Sequence, residues 1–173
     1  MRLRFLAALL ITTLATQISL GYLAEATASN PYGATEVDPA GPNEIILTIT
    51  NGSQKVEFPY PRLARFKGEK ITIYEPFVKK RQTFTVIEIS KLFAMAHIAK
   101  KDYISTIALN DYVFKAAAAE FLAAGALIAI KVNGNPIGYD QGGPIRLIYP
   151  PKSKWAKNLD AWNWSLAEIK VEP

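Results

Sequence analysis

No cysteine occurs in this 173-residue sequence, and only one histidine. The first absence excludes disulfides, thiolate nucleophiles, iron–sulfur clusters and thiolate-bound metals. It also excludes an anchor on a lipidated cysteine. The second leaves a zinc or non-haem iron site to be built almost wholly from carboxylates. A Ser-His-Asp triad would have to form around His97. That residue closes the apolar helical pattern "KLFAMAHIAKK", where a packed or helix-capping histidine is the common outcome. Concentrated charge is lacking too. The net charge is +5, but the basic runs "KGEK", "KKR", "KK" and "KSK" are short and scattered. They describe a mildly basic solvated surface, and no nucleic-acid reader such as a helix-turn-helix is visible.

Long hydrophobic runs are scarce after the first thirty residues. The stretch 116–130 is apolar, yet it contains Glu120 and Gly125 and is too short to cross a bilayer. The N-terminus differs. Arg2 and Arg4 precede an apolar run from Phe5, and small residues follow in an Ala-x-Ala arrangement. Residues 1–28 thus read as a secretory signal peptide, cleaved after Ala28 or alternatively after Ala26. An uncleaved anchor is the competing reading, although Thr12, Thr13, Thr16, Gln17 and Ser19 dilute the run. Cleavage removes Arg2, Arg4 and Glu25, lowers the net charge from +5 to +4 and leaves no membrane span. An exported chain without disulfides must rely on its core, which fits a bacterial periplasm.

Residues 29–42 read as a flexible leader, and 43–173 as one domain. Two Asn-Gly pairs mark hairpins, at Asn51-Gly52 and Asn133-Gly134, because both central positions of such turns take positive φ. One helical turn is expected in "PYPRLARF", a helix from Ser90 with Phe93, Ala96 and His97 on one face, and another in "KAAAAEFLAA" stopped by Gly125. Strands are expected at 71–74, in "TFTVIEI", along "DYISTIALNDYVF" and in "ALIAIKV". In "AWNWSLAEIKVE", Trp162 and Trp164 lie two apart, on one face of a strand. Short strands mixed with about three short helices, without regular alternation, predict an α+β fold with a mixed or barrel-like sheet.

Two stretches are candidates for chemistry. In "ALNDY", Asn110-Asp111 interrupts an apolar strand. Either the pair forms a bulge or turn, or Asp111 is an acceptor aimed at a ligand with N–H donors. In "DQGGPIR", Gly142-Gly143 can expose backbone N–H groups as an anion nest, with Arg146 adding a two-pronged donor. A plain hairpin is the alternative.

The blocks "TIALNDYVF", "ALIAIKVNGNPIG", "QGGPIRLIYP" and "NLDAWNWSLAEIKV", in that order between about residues 44 and 171, resemble the molybdopterin-binding domain of the sulfite oxidase type in its small exported form. The resemblance implies a compact α+β fold with a pocket for a pterin or molybdopterin-like ligand. It implies that Arg146 anchors the pterin-phosphate end beside Gly142 and Gly143. It also implies that Asn110, Asp111 and Tyr112 flank the pocket, with Asp111 accepting from the amino-pyrimidine edge. Tyr112, Trp155, Trp162 and Trp164 offer stacking faces, with core packing as the alternative for at least one of the Trp162–Trp164 pair. Catalytic members of the family bind molybdenum through a cysteine thiolate, which this sequence lacks. That departure places the chain nearer to exported members that bind a pterin without metal and act as sensors beside membrane-bound signalling enzymes, often those of cyclic di-GMP. The leading expectation is therefore a periplasmic, non-catalytic pterin-binding protein. The alternatives are a molybdopterin-dependent oxidoreductase and a ligand-free interaction module. The mark of the last would be a pocket filled by the protein's own side chains, with Arg146 facing solvent.

Overall fold

The computed structural model describes residues 40–173. The expected signal peptide and all but the last residues of the expected leader lie outside the described residues. Among the described residues nine strands form two sheets. The first has the order β2-β1-β9-β5-β6, built from β1 (Ile45–Asn51), β2 (Gln54–Pro59), β5 (Tyr103–Ala108), β6 (Val113–Ala117) and β9 (Leu166–Val171). The second has the order β3-β4-β7-β8, built from β3 (Glu69–Glu75), β4 (Lys80–Glu88), β7 (Leu127–Val132) and β8 (Arg146–Ile148). Helices α1 (Tyr60–Ala64), α2 (Ile89–Met95) and α3 (Ala118–Ala123) are short. The fold is α+β, as the pattern of elements predicts. The first sheet is mixed through the parallel pairing of β1 with β9, and the second is antiparallel throughout. Among the described residues no helix is long and apolar enough to cross a membrane.

The local chemistry accounts for these elements. In β1 a bulge makes Ile46 an extra residue opposite β2, so Ile46 and its neighbour Leu47 are both buried where strict alternation would expose one. Asn133 and Gly134 both take positive φ, 50° and 88°, as their hairpin requires. At the first hairpin Asn51 pairs with Gln54 and the turn is Gly52-Ser53, one residue later than expected, with positive φ at Gly52. Gly125, at φ 63°, ends α3. His97 takes φ 52° just beyond α2 and is exposed, which makes it a helix-terminating residue.

One expected element divides. The stretch "DYISTIALNDYVF" forms two antiparallel strands, β5 and β6, with residues 109–112 as the turn between them. Trp162 and Trp164 precede β9 and lie in the loop after a 3-10 turn, Leu159–Ala161, so no strand face carries them.

One hydrophobic cluster draws on both sheets and all three helices, including Ile49, Phe58, Leu63, Phe84, Leu92, Phe121, Leu147 and Ile169. At one end of this core the loops before β1, β8 and β9 meet the β3–β4 turn and the β5–β6 tip.

Candidate functional site

Those five segments enclose a cavity of about 860 Å³. Its aromatic lining is Phe77 from the β3–β4 turn, Tyr112 from the β5–β6 tip, Tyr139 from the loop before β8, and Trp162 and Trp164 from the loop before β9. Phe77 meets the Trp164 ring edge-on at 4.9 Å between centroids and the Trp162 ring at 6.4 Å, so the three form one continuous aromatic wall. Across the mouth, the Tyr112 hydroxyl donates to the Asp160 carbonyl at 2.9 Å and ties the hairpin tip to the loop before β9. Leu109 and Leu159, 56% and 44% exposed, form an apolar rim.

The charged lining is of one sign. Among the described residues Glu44, Asp140 and Asp160 border the cavity, and no lysine, arginine or histidine does. The tyrosines register this field. Burial raises the Tyr112 phenol above its ordinary range, with the Asp160 charge adding to it, and burial followed by the Glu44 charge does the same for Tyr139.

Arg146 is not presented to the cavity. It is 1% exposed and forms an ion pair with the fully buried Glu75, Nη2 to Oε1 at 2.6 Å, while Nη1 donates to the Gln141 carbonyl at 2.9 Å. Its guanidinium lies 4.2 Å from the centroid of the Trp164 ring and about 6 Å from those of Phe77 and Phe84. Burial pulls its pKa down to about 10 against the attraction of Glu75, which keeps it charged at neutral pH. Glu75 completes the unit. Its second carboxylate oxygen accepts from the Phe77 and Val78 N–H groups at 2.8 and 2.6 Å, fixing the turn that carries Phe77. The arginine thus builds the aromatic wall from behind. On a flat sheet the outer strands β3 and β8 would stand roughly 14 Å apart; Glu75 and Arg146 meet across them, so the second sheet is coiled toward closure.

The glycine turn is committed in the same way. Gly142 N–H donates to the Tyr139 carbonyl and Gly143 N–H to the Gly138 carbonyl, at 3.1 and 2.8 Å. A Cβ on Gly142 would lie 2.6 Å from the Trp164 ring, and one on Gly143 would lie 1.9 Å from the Ile137 carbonyl oxygen. These glycines serve close packing of the backbone, and their donors are not free to form an anion nest.

Of the other residues singled out in the sequence, Asn110 and Tyr112 line the cavity and Asp111 does not. Asp111 takes φ 63° at the exposed hairpin tip, a left-handed position that aspartate tolerates. The side-chain acceptor of this turn is Asn110, whose Oδ1 receives the Tyr112 N–H at 3.3 Å. Trp162 and Trp164 are in the wall, whereas Trp155 is buried among Phe114, Phe121 and Tyr149. Phe77, Tyr139, Asp140 and Asp160 are lining residues that sequence reasoning missed. An aromatic in the turn "EPFVKK" was the available sign for the first. An open cavity and a buried Arg146 are the reverse of what marks a ligand-free module.

A family model for the oxidoreductase molybdopterin binding domain matches residues 49–168. The chain belongs to this family. No curated protein matches it. The family domain implies a molybdopterin-type cofactor, which carries a phosphate and holds its metal through sulfur. The donor set here does not fit that group. No thiolate exists in the sequence. Among the described residues no cluster of histidine and carboxylate side chains is placed to hold a metal. The glycine turn and Arg146, the natural partners of a phosphate, are turned to the protein itself: the Gly142 and Gly143 N–H groups bond within the turn, and Arg146 is buried against Glu75 with its Nε left without a partner.

Proposed function

We propose that this domain is a non-catalytic binding protein for a pterin-type ring. The reading rests above all on the cavity: an aromatic wall of Phe77, Trp162 and Trp164 faces a lining whose charged groups are all acceptors. A pterin is flat, stacks on such faces, and offers adjacent N–H donors from its amino-pyrimidine edge to carboxylate or amide oxygens. Asn110, Asp140 and Asp160 are the acceptors within the lining. Each half of the ligand then has a chemically matched partner, and nothing in the lining is placed to do redox work. We extend this to location and role. The N-terminal pattern of residues 1–28 supports export to a periplasm, and a binding protein there informs a membrane-bound signalling enzyme whose own domain reaches that compartment. The apolar rim of Leu109 and Leu159 beside the mouth supports a partner that senses occupancy.

Intrinsic fluorescence tests the binding step directly, because two of the three tryptophans lie in the wall. Titration with oxidised and dihydro pterins is expected to quench emission at micromolar ligand, and Trp164→Ala is expected to weaken binding about tenfold or more, given stacking worth ~1–3 kcal/mol. Absence of quenching, with calorimetry also silent, overturns the reading. The family match favours one competing function, a molybdopterin-dependent oxidoreductase. Stoichiometric molybdenum in protein purified from its native envelope would establish that function instead.

A further inference from the structure

The charge of the cavity carries more than the shape of its ligand. Three independent features deny it an anion site. Among the described residues the lining holds carboxylates on three separate segments, Glu44, Asp140 and Asp160, and no cation. The Gly142 and Gly143 N–H groups are spent on the Tyr139 and Gly138 carbonyls. The Arg146 guanidinium lies behind Trp164 with its charge balanced by Glu75. A phosphate brought into this space would find no cation in the lining to meet it and would face like charge from three directions, on exposed carboxylates whose repulsion is strongest at low salt. A neutral or protonated amino-heteroaromatic ring would find the reverse. It would have aromatic faces to stack on, and carboxylates to accept from its N–H groups.

We propose that the cavity selects its ligand by charge, accepting an unphosphorylated amino-bearing pterin ring and rejecting the same ring esterified with phosphate. This rests on the pterin-binding reading and sharpens it. The natural ligand is then a free pterin alcohol, the product of a phosphatase-type step, and the phosphorylated precursors from which such compounds are made pass unread. The domain thereby reports the dephosphorylated pool alone.

Isothermal titration of the purified protein with neopterin and with neopterin monophosphate, at 20 and 300 mM salt, tests this. The expected result is at least about tenfold weaker binding of the phosphate ester at low salt, with the gap narrowing at high salt as repulsion is screened. The double variant Asp140→Asn/Asp160→Asn, both exposed and outside the core, is expected to narrow the gap several-fold at low salt. Equal or tighter binding of the phosphate ester overturns the selectivity while leaving pterin binding intact. A gap that persists unchanged in the double variant and at high salt also overturns it, because exclusion would then be steric. If neither compound binds, this inference and the pterin reading fall together.

Discussion

Arg146 and Glu75 show how far a residue's role depends on what surrounds it. An arginine among Ile145, Leu147 and Ile148 is conspicuous in the sequence, and a ligand anchor is the natural expectation. In the structure its partner is a glutamate 71 residues away, reached only because the second sheet coils. A buried pair of this kind is hard to break one side at a time, since the orphaned charge keeps its desolvation cost. Glu75→Gln or Arg146→Met alone is expected to lower stability by ~3–5 kcal/mol in urea unfolding. The double replacement Glu75→Gln/Arg146→Met, which keeps an acceptor for the Phe77 and Val78 N–H groups, is expected to recover part of that loss. If the singles cost under ~1 kcal/mol, the pair is not what holds the wall. Glu75 itself was not legible beforehand. A single acid in "IYEPF" carries no periodic or motif signal, and its burial is a product of long-range pairing. Asn110 and Tyr112 were legible as site residues because polar and aromatic side chains within an apolar stretch need a local reason.

At the scale of elements, the segment from β7 to β8 is governed by close approach more than by ligand chemistry. Gly143 lies against the Ile137 carbonyl with no room for a side chain, whereas Gly134, although at positive φ, has nothing within 4 Å. The two substitutions therefore separate clash from backbone strain. Gly134→Ala is expected to cost about 1–2 kcal/mol, and Gly143→Ala ~3 kcal/mol or more because backbone must move. The second is also expected to change near-ultraviolet circular dichroism, since the displaced turn packs on Trp164. Equal effects of the two would remove the argument for close packing. Elements with their own punctuation were readable from sequence: the hairpin at Asn133-Gly134, α2, and the stop at Gly125. The β5–β6 turn was legible only as one of two readings of Asn110-Asp111, because Leu109, Tyr112 and Val113 continue the apolar pattern straight through it. Those residues are exposed at the cavity mouth or on an edge strand, so the usual coupling between hydrophobicity and burial fails there. The tryptophan pair was misassigned to a strand for a related reason, as spacing of two fits a loop as well as a pleat.

For the molecule as a whole, the alkaline limb of stability reports the packing of the core. Burial raises the Tyr149 phenol well above its ordinary 10.0, and its hydroxyl donates to the Ala161 carbonyl at 3.0 Å. The unfolded chain ionises this group near pH 10, while the folded protein holds it neutral. Stability from Tyr149 is therefore fully present below pH 10 and is lost as pH rises above it. Arg146, pulled down to about 10, acts in the opposite sense above that pH, so the comparison must be made against a variant. Tyr149→Phe is expected to lose about 1 kcal/mol at pH 7 with its hydrogen bond. It is also expected to show a shallower decline than the parent between pH 10 and 11.5 in denaturant midpoints. Parallel declines would mean that Tyr149 ionises freely in the folded state. The overall architecture, two sheets around one core, was legible as α+β from the mixture of short elements. The division into two sheets was not, because strand order is set by pairings between distant segments.

The internally bonded glycine turn and the buried arginine bear on how such chains are recognised by descent. A stretch like "GGPIR" can be inherited because the coiled sheet and its packed turn cannot be assembled without it, whatever occupies the neighbouring hollow. Likeness at these positions then traces ancestry of architecture and is silent about cargo. The part of the sequence free to diverge with cargo is elsewhere, at the hairpin tip and in the segment before the last strand, where exposed side chains can be exchanged without disturbing the core.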